Sequence, residues 1–152
     1  METCAYIADQ LVRTFGGQAW HGDSVMQILS DIGPQQAARK SLQNIHSIWE
    51  IVLHIIAWEQ VVVQCLQGNP YTKIHGEDDW PPVKEVTSDA WRVALQLLTE
   101  TTSTLNALIS SFPEHQLHEK VPGQTRTYYQ LFHGVVQHNL YHAGQIGILK
   151  KL

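Results

Sequence analysis

The strongest constraint on the fold is SLQNIHSIWEIVLHIIAWEQVVVQCL, from Ser41 to Leu66, an apolar run with neither glycine nor proline. Its β-branched content would suit a strand, but the run is several times longer than an ordinary strand, and Leu42, Ile45, Trp49, Val52 and Ile56 recur at alternating spacings of 3 and 4. One long, nearly all-apolar helix over Ser41–Leu66 is the expectation. A helix this apolar has to be wrapped by others.

The rest of the chain supplies them. Ile7, Leu11 and Phe15 keep helical spacing from Thr3 until Gly16-Gly17 stops the pattern. Trp91, Ala94, Leu98, Thr101, Leu105, Leu108 and Phe112 follow a Thr87-Ser88-Asp89 cap signal at strict 3-4 alternation and end at Pro113, the pattern of near-parallel bundle packing. A last helix is expected from about Tyr128 to Lys150, after the Pro122-Gly123 turn of VPGQTRT, which could sit in a small hairpin. Trp20 to Lys40 reads as a connector of one or two short turns, with Asp23 or Ser24 as cap and Gly33-Pro34 as stop. Gly68 to Val86 is longer than the roughly 12–15 residues usual for a structureless loop, which marks it as mobile or functional. The fold class that follows is all-α, a four-helix bundle around one core.

At 152 residues the chain is the size of one domain, 1–152. A formal charge of −4, 16% charged residues and no basic cluster beyond Lys150-Lys151 exclude the phosphate-neutralising surface of a nucleic-acid binder. No apolar run is expected to reach the roughly 18 residues of a membrane span, and METCAYIADQ lacks the basic start and apolar stretch of a secretion signal. A cytoplasmic protein without membrane association is expected, with Cys4 and Cys65 as thiols.

Histidine, at nine, is the unusual count. In HGVVQHNLYHAGQIGILKKL, His138 has Leu131, Val135, Ile146 and Leu149 on its helical face, and His142 follows one turn later. Two neutral imidazoles in one apolar stripe are costly unless something joins them, and H-x-x-x-H presents two nitrogens to a zinc-like ion. On the long helix His54 sits in a stripe with Ile51, Trp58, Val61 and Cys65, which makes it the third candidate ligand. His46, with Glu50 at i+4, is a weaker one. Three imidazoles with no obvious fourth ligand leave a position open for chemistry. The plain alternative, buried core histidines with ordinary hydrogen bonds, stands beside this reading. Tyr141 and Gln145 share the ligand face and would either line the pocket, orient ligands or simply pack. Glu50 is the one carboxylate near His54, as a base or as a helix cap. His21, His75, His115 and His118 fall in expected loops, and His133 points off the face.

HSIWEIVLHIIAWEQ (His46 to Gln60) and HNLYHAGQIGILKK (His138 to Lys151), in this order, together with WHGDSVMQIL near Trp20, resemble the DinB-like (DinB/YfiT-like) family across essentially the whole chain. The resemblance implies a four-helix bundle in a variant of the up-and-down topology. It implies a divalent metal ion, nickel, zinc or iron, held by His54, His138 and His142, and frequent homodimers. Characterised relatives include enzymes that transfer low-molecular-weight thiols such as bacillithiol, and a mycothiol-dependent isomerase. The expected partner is therefore a small-molecule substrate, which includes a low-molecular-weight thiol activated at the metal and passed to an electrophile. Two other readings remain: a metal-dependent hydrolase that activates water, and a non-catalytic dimeric bundle stapled by its metal. Gly134, Gly144 and Gly147 each weaken a helix by up to about 1 kcal/mol relative to alanine, for which close helix packing, within the chain or across a dimer, would compensate.

Overall fold

The computed structural model describes residues 3–152 and is helical throughout. Its four long helices are α1 (Thr3–Phe15), α4 (Ile48–Leu66), α5 (Ser88–Ser110) and α6 (Tyr128–Leu149). The short α2 (Val25–Leu29) and α3 (Pro34–Ala38) lie in the connector. Packing runs in a ring: α4 lies against α5 and α6, and α1 against the same two. The consecutive pairs α1/α4 and α5/α6 thus sit mainly across the bundle from each other, whereas simple up-and-down order would make them neighbours.

The long helix starts later than its apolar pattern suggests. Ser47 is its N-cap: the Ser47 hydroxyl accepts from the Glu50 amide, and the Glu50 carboxylate accepts from the Ser47 amide at 2.7 Å. This reciprocal box overrides the hydrophobic spacing of Leu42 and Ile45, which lie outside α4 and half-exposed. Lys40 Nζ adds an ion pair to Glu50 at 3.0 Å. In the connector Gly33-Pro34 opens α3 rather than closing a helix, with Pro34 at the first turn, where its missing N–H costs nothing. The hairpin expected in VPGQTRT is present as a bridge between Lys120 and Thr127, turning at Gly123 with φ of 81°.

At 19 residues and mean hydropathy 1.3, α4 is long and apolar enough to cross a membrane, against the expectation from the sequence. Its burial explains the composition: 61% of that stretch is covered by the other helices. Buried apolar side chains form two clusters along the bundle. One joins α2 and α3 to Ile48–Ile56, Leu98 and Ala143–Leu149. The other joins α1 to Val62, Val63, Leu105, Ile109 and Phe132–Val136.

A polar layer separates them. Glu59, fully buried, accepts from Asn139 Nδ2 at 2.8 Å and lies 2.7 Å from the Thr102 hydroxyl. That hydroxyl also reaches Leu98 O at 2.9 Å and has a single proton to give. A neutral Glu59 donating to Thr102 Oγ1, which donates in turn to Leu98 O, satisfies the chain. Burial favours the same state, pushing the Glu59 carboxyl up to about 7.

Candidate metal centre

His54 enters the centre from the middle of α4, and His138 and His142 enter one turn apart from α6. His54 and His142 are buried and His138 half-buried. Their Nε2 atoms converge: His138 Nε2 lies 3.1 Å from His54 Nε2 and 3.1 Å from His142 Nε2. Two of the opposite nitrogens are tied outward, while His138 Nδ1 is buried without a hydrogen-bond partner. His54 Nδ1 donates to the Asp79 backbone O at 2.7 Å, and His142 Nδ1 donates to Gln145 Oε1 at 2.7 Å. Neutral His54 and His142 therefore carry their protons on Nδ1 and present bare Nε2 lone pairs to the same point. His138 holds at most one proton between them.

Three nitrogens gathered in this way form a donor set, and the group could hold a metal ion. Metal–nitrogen bonds of about 2.0–2.1 Å place cis imidazole nitrogens about 2.9–3.4 Å apart, which brackets the separations seen. The protonation states fit as well. Burial, then the neighbouring imidazoles His142 and His54, push His138 down to about 4. Burial does the same for His142, also to about 4, and lowers His54 against the opposing pull of Asp79. All three are therefore neutral near physiological pH, the state a metal would require.

The long loop, which the sequence left undecided, supports this centre. A turn with Gly76 at φ 60° and a Trp80 N–H to Gly76 O bond of 2.9 Å presents Asp79 and Trp80 to α4. Asp79 receives His54 on its backbone carbonyl, with its Oδ1 3.1 Å from the same nitrogen, and accepts from Trp58 Nε1 at 2.7 Å. Trp80 lies between two imidazoles, 3.8 Å from the His54 ring and 3.6 Å from that of His46, nearly parallel to both. Sequence reasoning missed Asp79 and Trp80, whose signal is the turn chemistry of GEDDWPP. It also missed Glu59, which the stripe test that singled out His54 would have caught.

The other candidates separate cleanly. Gln145 accepts from His142 Nδ1 and donates from Nε2 to Tyr141 Oη at 3.2 Å, so both are linked to His142, although Tyr141 is largely exposed. His46 precedes α4 and stacks on Trp80 rather than joining the three nitrogens. Glu50 is engaged by Ser47 and Lys40, the cap reading rather than the base reading. His21, His75, His115 and His118 are exposed, as expected. No described heavy atom beyond the helix's own neighbouring backbone comes within 4 Å of a Cβ built on Gly134, Gly144 or Gly147, so close packing within the chain does not account for these glycines.

Two clefts flank the centre and share no lining residue. One, of about 390 Å³, has His138 and Trp58 in its wall, and the other, of about 370 Å³, has His142, Trp80 and Tyr141. A larger cavity, about 830 Å³, is lined by the long loop and α4 and includes none of the three histidines. A helical bundle with a largely buried three-histidine centre bordered by open clefts defines the class: an α-helical domain with a group that could hold a metal ion. The chain belongs to the DinB superfamily, whose family model matches residues 18–146. Comparison with curated proteins and with solved structures gives no match.

Proposed function

We propose that this protein is a metal-dependent enzyme whose His54, His138 and His142 take a divalent ion, nickel, zinc or iron, and which transfers a low-molecular-weight thiol to an electrophilic small molecule. The observation that carries the reading is the convergence of three Nε2 atoms with the Nδ1 atoms of His54 and His142 fixed outward. The metal, when bound, supplies Lewis-acid charge that holds a thiol as its thiolate near neutral pH. The chain does the rest. Asp79 and Gln145 fix the tautomers and ring planes of His54 and His142. Trp80 shields one face of His54 from water, and Trp58 forms the cleft wall beside His138. Two separate clefts, each bordered by one of the α6 histidines, suit a reaction with two reactants.

The hydrolase reading needs a carboxylate base facing the reacting water. Glu50 is spent on the helix cap, and Asp79 lies behind His54 on its Nδ1 side, bonded to Trp58. The purely structural staple usually has four protein ligands, whereas three are gathered here among the described residues. A homodimer is part of the same proposal, and sedimentation velocity at micromolar concentration is expected to give twice the 17.2 kDa chain mass.

The test has two stages. Elemental analysis of untagged protein is expected to give near-stoichiometric metal in wild type and little in His54→Ala or His138→Ala. Cobalt-substituted protein titrated with small thiols is then expected to develop sulfur-to-metal charge-transfer bands. An unchanged spectrum would reject thiol transfer, and wild type that cannot be loaded with any divalent ion would reject the metalloenzyme reading as a whole.

A further inference from the structure

The cleft beside His138 carries a charge that the proposed reaction does not explain. Arg126 lines it together with Trp58, Tyr71, Gln137 and His138, and no acidic residue does. Among the described residues no carboxylate comes within ion-pair distance of the Arg126 guanidinium, although the chain as a whole is acidic. Arg126 is thus the one formally charged side chain lining the cleft, and His138, a candidate ligand of the metal centre, lies in the same wall.

The position of that charge is built by two segments tied together. Tyr71 N–H donates to Pro122 O at 2.8 Å, and a Cβ on Gly123 would meet Tyr71 O at 3.2 Å, so the long loop is clipped to the hairpin turn that carries Arg126. Arg126 in turn closes that hairpin, its carbonyl accepting from the Val121 amide at 3.0 Å. Burial pushes the Tyr71 phenol up, and the Arg126 charge opposes that push while Cys65 and Asp79 add to it. Gly134 lines the same cleft as Arg126 and His138. A Cβ there meets nothing within 4 Å, so in the middle of a helix, where glycine is unfavourable by about 1 kcal/mol, the chain keeps the cleft open.

The geometry points to this cleft as the binding site for an elongated, oxyanion-bearing small molecule, whose carboxylate or phosphate is held by Arg126 while its other end reaches His138. A guanidinium matches the planar fork of a carboxylate or phosphate and makes charge-assisted bonds to it. Tyr128 to His138 spans about 15 Å of helix at 1.5 Å per residue, so an anion at the Arg126 end sits on the order of 10 Å from His138. That is the reach of a tripeptide-sized molecule rather than of acetate. On the thiol-transfer reading this occupant is the thiol, and the inference rests on that reading for its reacting end, though not for its anion.

The test is calorimetric titration of the full chain with S-methylglutathione, an elongated dicarboxylate whose sulfur is blocked, with its dimethyl ester, and with inorganic phosphate. S-methylglutathione is expected to bind wild type about 10-fold or more tightly than it binds Arg126→Gln, and to lose binding in Gly134→Leu, whose side chain fills the cleft while the thermal midpoint is retained. The ester is expected to bind weakly to wild type and Arg126→Gln alike. Arg126-dependent binding of phosphate, with none of S-methylglutathione, would support the oxyanion site and assign it to a phosphate-bearing ligand. Binding that is indifferent to Arg126→Gln or to Gly134→Leu, or no binding of any probe, would overturn the proposal. Because the probe has no free thiol, the cobalt titration can fail while this site stands, and the reverse.

Discussion

A partner on a histidine's second nitrogen fixes its tautomer and ring plane for a metal, and the acceptors that do this for His54 and His142 differ in kind, while His138 Nδ1 has none. His54 is held by a backbone carbonyl, which no side-chain substitution at Asp79 removes, whereas His142 depends on the side chain of Gln145. Gln145→Ala is therefore expected to weaken metal binding by about 10- to 100-fold. Gln145→Glu, which keeps an acceptor at the same reach, is expected to restore most of it. Competition against a chromophoric chelator measures both, and equal affinity in the alanine variant would mean that Gln145 merely packs. The three converging histidines were legible in the sequence because each is a polar residue inside an apolar stripe. Asp79 and Trp80 were not, because they act from a loop whose path depends on a left-handed Gly76 and on contacts with α4, neither of which has a period. For His46 the spacing to Glu50 was real but misleading, since the helix begins after it.

At the scale of elements, α4 combines a cap that fixes where it starts with a buried acid that fixes what it packs against. Replacing Ser47 by alanine removes one half of the capping box and is expected to lower stability by about 1 kcal/mol, read from the urea midpoint at constant slope. Glu59 has a pH signature. Its folded value of about 7 lies above that of a carboxyl in the unfolded chain, so the unfolded state releases its proton first as pH rises. Between about 4.5 and 7 the unfolded chain then binds fewer protons than the native one, and this group's contribution to stability falls across that window. Glu59→Gln cannot titrate. The stability of the variant relative to wild type is expected to rise from pH 5 to pH 7.5 by up to about 3 kcal/mol, the histidines cancelling in the difference. A flat difference would show that Glu59 is already ionised throughout and that the proton chain through Thr102 is wrong. Following apolar residues alone passes over such a layer: that spacing placed Thr101, one residue before Thr102, in its stripe, and Glu59 emerges only when each polar residue is asked whether its helical neighbours are apolar.

For the whole molecule the issue is whether the bundle needs its metal. Two apolar clusters, lying to either side of the Glu59 layer, join all four long helices without passing through the three histidines. The protein without metal is therefore expected to stay folded, which separates it from small domains whose fold is made by zinc. The ring of helix contacts could not be read from the sequence, since the stripes on α1, α4, α5 and α6 establish that each buries a face but not which neighbour it meets. What metal removal should expose is a proton cost. His138 and His142, held near 4, and His54, also lowered, bind protons more weakly in the folded state than in the unfolded one. Their contribution is present above about 6.5 and is lost as pH falls toward 4, opposite in sign to that of Glu59 and carried by three groups instead of one. Chelated protein should thus be destabilised in acid from about pH 6.5 downward. At pH 7.5, a divalent ion at a thousandfold over its dissociation constant adds about 4 kcal/mol, on the order of 10 °C in a chain of this size. Scanning calorimetry of chelated and zinc-loaded protein at pH 7.5 and pH 5 is expected to show that increment at the higher pH and a much smaller one at the lower, because protons then compete for the same three nitrogens. A chelated protein with no cooperative transition at pH 7.5 would instead make the ion a staple of the fold, and a zinc increment unchanged at pH 5 would place the bound ion away from His54, His138 and His142.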